Sequence, residues 1–455
     1  MLKTMAMTQK NTVNHVPRLL KLAGPMILST SAITLMQLID AIVLSRYSSE
    51  AVAAMGPSSM AVILFQGFLF GTAGYAGTFV AHRHGQGDAD GVLGSAWLGI
   101  YTALISGVVA LLVAWPIASL FLLAGHAPQV ALDEQTYFLI CMAGSLFPVF
   151  NHTMAGWLSG IGRPVIVTCV TFGSLAVNAL LAWGLVPGEW GLPRMGIAGA
   201  ALATVTAQLV ASLLYLALFA RAGGLGNRAA RCLDRQEFRR FLSLAAPMGL
   251  RISGELAAWT LFLVVVGRLG TVELAASSIA FRINGIAFFP ALGLGQAAGI
   301  LVGHARGAGR DDEVPSIAWQ SLAVCELWML AMALLFATAS GPLVSAFAGS
   351  GPEAALIVAT GALLMKFVAI YCIFDAANVV VGCVLASAGE TPWIARSFSL
   401  YSFIFLALLW LIDRTIPGLA TEWSLATLFV FVTALAWTLR FRSGAWRRMQ
   451  VLRET

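Results

Sequence analysis

The segment Leu20–Val92 recurs without a gap as Leu242–Val314, at a constant offset of 222 positions and with 20 identities. Among them are Pro25/Pro247, Met26/Met248, Arg46/Arg268, Gly71/Gly293, His82/His304, Gly85/Gly307, Gly87/Gly309 and Asp90/Asp312. A chain carrying such a repeat has to fold as two similar units, one around each copy. Both copies are strongly apolar, the pattern of a membrane transporter made of two halves.

Composition identifies the solvent. The chain is 59% hydrophobic and 11% charged, where a soluble protein is about 25% charged; its mean hydropathy is +0.85. Apolar runs long enough to cross a bilayer lie near 22–45, 52–80, 93–123, 136–158, 165–187 and 197–220. A second set lies near 242–267, 274–303, 317–347, 356–385, 393–412 and 423–440. This predicts an all-α integral membrane protein of twelve transmembrane helices in two six-helix lobes. An even number of spans per lobe makes both lobes run in the same sense, related by a pseudo-twofold axis along the membrane normal. The expected divisions are an N-lobe over 1–222, a cytoplasmic linker over 223–240 and a C-lobe over 241–455 with a short basic tail. No segment is long enough for a separate soluble domain.

Charge sets the orientation. With the N-terminus in the cytoplasm, the inside segments hold 20 of the Lys and Arg residues, and the outside loops hold only Arg46, Arg194, Arg268 and Arg414. By the positive-inside rule both termini and the basic linker are cytoplasmic. The net charge of +6 then reports topology and attraction to anionic lipid, and gives no support to a nucleic-acid partner. The linker reads as a solvated tether. Met1–Val16 lacks the apolar core of a cleaved signal peptide, so the first span is read as an uncleaved insertion signal. Six cysteines without CxxC spacing read as packing residues. His82, His84 and His304 are expected in short cytoplasmic loops, without metal geometry.

An ionisable group at mid-bilayer costs roughly 2.5–3.5 kcal/mol on insertion scales, so each one is a functional candidate. The deep ones are Asp40, Arg251, Glu255, Arg282, Glu326, Lys366 and Asp375. Arg251, Glu255 and Trp259 are spaced i, i+4, i+8 and share a helix face. Arg251 and Glu255 either neutralise one another or form a pair that is made and broken during function. Tyr371 and Asp375 are also i, i+4. Two carboxylates drawn from different helices, with a hydroxyl nearby, hold either Na⁺ through oxygen ligands or a shared proton. Lys366 is half a turn out of phase with Asp375, and Glu326 reads as its interhelical partner or as a pore group. Asp40 has no charged neighbour within a turn and reads as functional.

The residues resemble a known family. DAIVLSRYSSEAVAA in the first span, GELAAWTLFLVVVGRLGTVELAASSIAFRINGIAFFP over the seventh and eighth, and GILVGHARGAGR after them are similar to segments of the multidrug and toxic compound extrusion (MATE) family, in its NorM-like branch. GWLSGIGRP and VLASAGETP resemble its loops after spans four and ten. The resemblance runs from about residue 18 to 440.

It implies that Asp40 is the N-lobe carboxylate of proton coupling, that Glu255 and Asp375 are the C-lobe pair, and that Tyr371 lies beside their cation site. A Na⁺ would then sit at Glu255, Tyr371 and Asp375. Asn178 matches the first position of an N-x-x-x-N/D pattern whose second position is Ala182 here. Ala386 stands where the family's loop carries arginine, and Arg251 is unexpected beside Glu255. The implied protein is no enzyme. It is a monomeric secondary-active antiporter of the bacterial inner membrane, exporting drug-like amphiphilic cations against H⁺ or Na⁺ and needing no other cofactor. Asn178, Arg251, Trp259 and Arg282 are its expected substrate-cavity residues. The rival readings are a lipid-linked-precursor flippase of the same superfamily and an integral-membrane transferase.

Overall fold

The computed structural model describes residues 13–123, 125–232, 234–349 and 351–452, and helices are the only regular structure among them. Span one is Val16–Ser45, span two is Ser49–Gly74 continued by Ala76–Gln86, and span three is Ala89–Phe121. Span four is bent by 47° between Pro128–Ala143 and Leu146–Gly160. Spans five and six are Pro164–Leu185 and Gly196–Arg221. In the second half, spans seven to twelve are Arg235–Val266, Thr271–Gly307, Val314–Thr338, Ala354–Ser387, Thr391–Thr415 and Leu419–Arg442. The result is a twelve-helix, two-lobe architecture.

Local chemistry sets the helix starts and stops. The Ser48 and Asp88 side chains accept from the backbone N–H of Ala51 and Gly91, capping spans two and three, and Asp234 caps span seven through Gln236 N–H. Each such cap satisfies a donor that the first helical turn leaves open. Gly87 (φ +75°) and Gly309 (φ +70°) take the left-handed conformation just past spans two and eight. Only glycine adopts it without strain, which accounts for their identity across the repeat.

The helices outrun the apolar stretches. Span eight has 37 residues, about 55 Å at 1.5 Å per residue, against a hydrocarbon core of about 30 Å. His82, His84 and His304 therefore lie in the last turns of spans two and eight instead of in loops, because nothing before Gly87 or Gly309 stops the helix. The expected ninth span over 317–347 also differs: it ends at Thr338, and Ser340–Ser345 forms a separate short helix. Pro342 lacks the N–H that a continuing helix would donate to the Thr338 carbonyl, and its ring crowds that carbonyl, so the break falls at Ala339.

The basic linker is docked instead of trailing in solvent. A short helix, Arg228–Arg231, follows an Asn227 cap, and Asn227 Nδ2 donates to Asp90 at 2.6 Å. Trp97 Nε1 and Tyr101 Oη, both on span three, donate to the carbonyls of Gly224 (2.9 Å) and Arg231 (2.7 Å). Arg235–Arg240 are already part of span seven.

Spans one and two pack within their own half, on span five and on spans three and four, and also on spans eight and seven of the other half, which makes the seam between the halves. The seam is tightest on the face where spans two and eight end, the face that also carries Val13, bonded through its carbonyl to Gln320 at the start of span nine. Here the repeat meets itself. His82 Nε2 donates to Ser387 O of the other half at 2.8 Å, and His304 Nε2 donates to Gly160 O at 2.6 Å. A Cβ on Gly85 would run into the His304 carbonyl and one on Gly307 into the His82 carbonyl, so both positions require glycine.

Tyr75 Oη donates to Ala386 O at 2.8 Å, and Arg83 pairs with Glu237 at 2.9 Å. Beyond span twelve the chain passes through the turn Ala445–Arg448 and lays Val451 into an apolar cluster with Tyr75, Ala76, Phe79 and Leu98 of the first half and Phe241, Leu244 and Ala245 of the second. Arg306 holds this strap through the carbonyls of Trp446 (3.3 Å) and Met449 (2.7 Å), and Arg240 reaches Gln450 O.

Candidate functional site: an acidic centre in each lobe

In the N-lobe, spans one, five and six bring three polar side chains together in an otherwise apolar interior. Asp40 is 5% exposed and Asn178 fully buried. Asn178 Nδ2 donates to Thr204 Oγ1 at 3.2 Å, and Thr204 Oγ1 lies 3.3 Å from Asp40 Oδ2 and 3.1 Å from its own helix carbonyl at Ala200. Asp40 Oδ1 and Asn178 Oδ1 are buried without a hydrogen-bond partner among the described residues. A buried acceptor left open costs about 1–3 kcal/mol, so this centre is poised to take up a proton or another donor. Asp40 and Asn178 are sequence candidates, and Thr204 is the member that sequence reasoning missed. Ala182 is fully buried one turn beyond Asn178, and adds no polar group.

In the C-lobe, the i, i+4 spacing on span seven is realised as an ion pair: Arg251 Nη2 donates to Glu255 Oε2 at 2.9 Å. The guanidinium also lies 5.3 Å from the ring centre of Trp437 and 6.0 Å from that of Phe398. Asp375, on span ten, is within electrostatic reach of both Glu255 and Arg251. Glu255 and Asp375 therefore influence one another electrostatically, with Arg251 paired to Glu255. Tyr371 is one turn from Asp375 and buried. Asn378, one turn on the other side, donates to Val430 O at 3.1 Å, and its Oδ1 has no hydrogen-bond partner among the described residues; as an uncharged amide it carries no signal of its own in the sequence.

The remaining candidates are placed elsewhere. Trp259 is half-buried in a ring cluster with Phe262, Phe281, Phe405 and Phe429 at 5.3–6.3 Å. Arg282 is exposed. No group of His, Cys, Asp or Glu suited to a metal occurs among the described residues. An apolar cleft of about 590 Å³ opens between spans two, three and seven, lined by residues that include Leu64, Phe65, Phe68, Thr72, Ile105 and Phe238 and by no charged side chain. Glu422, at the start of span twelve, is fully buried, and neither carboxylate oxygen has a hydrogen-bond partner among the described residues.

Two repeated lobes, an interior acid in each and a seam closed on one face define a polytopic membrane transporter. The MatE family profile matches residues 25–183 and 247–412, most of the chain and both halves of the repeat. The chain belongs to the MatE family, whose members are transporters and not enzymes. It is 29% identical over 381 residues to the probable multidrug resistance protein NorM of Agrobacterium fabrum, covering 82% of this chain and 81% of that protein. It is 28% identical over 443 residues to the protein of the same name from Pseudomonas putida, with 95% of each covered. Among solved structures, an outward-facing multidrug resistance MATE transporter of the MOP superfamily superposes with a TM-score of 0.86 at 20% identity, covering 95% of this chain and 96% of that one. A MOP superfamily transporter from Pyrococcus furiosus, described as having a binding pocket of reverse polarity, superposes at 0.84 and 19% identity, covering 95% and 96%.

Proposed function

We propose that this protein is a secondary-active multidrug efflux antiporter of the bacterial cytoplasmic membrane, exporting amphiphilic cations in exchange for H⁺ or Na⁺ by alternating access. The observation that carries the reading is the pair of interior acids, one centre per lobe, beside a seam bonded across the halves on the face where spans two and eight end. An ionised carboxylate in a low-dielectric wall attracts a cationic ligand, and a bound proton or Na⁺ cancels that attraction. Ligand and ion then favour different states and exchange across the membrane.

The sealed face is the cytoplasmic one on this reading, since it carries Val13, the Val451 strap and the excess of Lys and Arg. This makes the conformation outward-facing, in keeping with the state described for the transporter superposed at 0.86. The apolar cleft suits the ring or alkyl part of such substrates. The lobes divide at 1–222 and 241–455, and the chain works as a monomer. The names of its relatives support the multidrug assignment.

The test is ethidium flux in proteoliposomes of the purified protein under an imposed pH gradient and, separately, a Na⁺ gradient. Transport driven by either, and lost in Asp375→Asn, is the expected result. Flux that ignores both gradients, or survives Asp40→Asn combined with Asp375→Asn, would overturn the reading.

A further inference from the structure

The apolar cleft between spans two, three and seven is separate from both acidic centres. Its open side is formed by Leu64 and Phe68 of span two with Ile105 and Val109 of span three, all of them exposed. Its closed side is the contact between spans two and seven. A Cβ on Gly71 would run into the Gly249 backbone, and one on Gly249 would run into Thr72 Oγ1 and the Phe68 carbonyl. Along span three the lining extends from Thr102 to Ile117, about 22 Å at 1.5 Å per residue. One leaflet of the hydrocarbon core is about 15 Å deep. The cleft is therefore a slot, longer than a leaflet is deep, that opens sideways onto lipid.

The end of the slot near the sealed face carries positive charge. Span seven lines it with Phe238, Leu242 and Ala246, which are spaced i, i+4, i+8 and share a helix face. Arg235 and Arg239 fall within the same arc of about 100° on that helix, one three residues before Phe238 and the other next to it. Both are exposed, and neither forms an ion pair among the described residues. The nearby acids are engaged: Asp234 accepts from Gln236 N–H at 2.8 Å, and Glu237 pairs with Arg83 at 2.9 Å. Like charges at i, i+4 repel one another, and Arg235 in the first turn opposes the positive end of the helix dipole. An anion between the two guanidinium groups removes both penalties.

We propose that the cleft is a binding site for an anionic phospholipid, with an acyl chain in the slot and the headgroup phosphate held by Arg235 and Arg239 at its mouth. The planar guanidinium bonds phosphate oxygens in pairs. A headgroup that also carries an ammonium brings a positive charge to two arginines, so phosphatidylglycerol is favoured over phosphatidylcholine. Cationic amphiphiles are disfavoured at this mouth for the same reason, and the apolar part of a substrate shares the slot only by displacing the lipid chain.

Native mass spectrometry of the purified full-length protein, delipidated in detergent, compares phosphatidylglycerol with phosphatidylcholine of identical chains. The wild type should bind one phosphatidylglycerol at least about tenfold more tightly. Arg235→Gln/Arg239→Gln should erase that preference. Arg442→Gln/Arg448→Gln, which removes two exposed arginines at and beyond the end of span twelve, should keep it. Ala246→Phe, which fills the slot, should weaken binding of both lipids; should it fail to fold, Ile105→Trp at the exposed rim replaces it. Glycerol 3-phosphate, which has no chain, should not compete.

Equal binding of the two lipids by the wild type overturns the proposal. So does a preference that survives Arg235→Gln/Arg239→Gln, one that the span-twelve control loses to the same extent, or full binding in the slot-filling variant. Displacement by glycerol 3-phosphate would show a site for free phosphate and also overturn it. The assay reads binding without transport, so its outcome is independent of the antiport reading above.

Discussion

The two histidines of the repeat should hold the sealed face of the seam shut, and each can be removed separately. His82 is 5% exposed, and its Nε2, with a carbonyl as partner, must carry the proton it donates to Ser387 at 2.8 Å. His82→Ala leaves that carbonyl, at the end of span ten, without its cross-seam partner, a loss of about 1–3 kcal/mol for a buried group. The bond joins different halves, so the loss falls on the closed state alone. At 1.4 kcal/mol per factor of ten, the open-to-closed ratio should rise about 5- to 150-fold. His304→Ala should act in the same direction through Gly160, and the double variant should be more open than either single one. His82→Gln, which keeps an N–H at similar reach, should restore part of the closure.

Spin labels at Gln86→Cys and Ala308→Cys, exposed positions on opposite halves of this face, report the opening by double electron–electron resonance. A longer, broader distance is expected in His82→Ala and His304→Ala. Distance distributions identical to the parent's in both would show that the bonds contribute nothing to closure and would refute the reasoning.

Three further outcomes are expected. Glu255→Gln and Asp375→Asn should each abolish most gradient-driven efflux in cells with matched expression, and the double variant should be little worse than either, as for residues acting as one unit; additive losses would separate the two acids. Glu422→Gln removes a buried carboxylate that lacks partners, and should raise the thermal midpoint in detergent, at a fixed scan rate, by about 1–3 °C for about 1 kcal/mol; a fall would mean that the group has a partner in the membrane. Val451→Asp buries a charge among Tyr75, Phe79 and Phe241, so a cysteine placed at Ala76 in the same cluster should react at least tenfold faster with a hydrophilic maleimide, and an unchanged rate would show that the strap does not seal the seam.

The spans were legible because length and apolarity are properties of the string itself, and the Arg251–Glu255 pair because i, i+4 spacing is geometric. Helix ends were less so: HRHGQ and HARG look like loops by polarity, yet contain no residue that stops a helix before Gly87 and Gly309. Thr204 was invisible for a different reason. A threonine among small residues ordinarily bonds its own i−4 carbonyl, as this one does to Ala200, and only the approach of spans one and five reveals a second role. Glu422 lay just outside the last apolar run and was passed over as an end residue. The repeat discloses His82 and His304 as equivalents, but the string does not say that each closes on the opposite half; that depends on spans two and eight meeting across the seam.

The strap that ends in Val451 has a consequence for how the protein is made. Val451 is translated after all twelve spans, yet it sits among side chains of spans two, three and seven. Until it arrives, Tyr75, Phe79 and Phe241 line a notch in the sealed face. A chain stalled in span twelve would present that notch to chaperones and proteases, which read exposed apolar surface on unfinished proteins. Docking of the strap therefore follows insertion of all twelve spans, and a bulky fusion joined close behind Leu452 competes with that step.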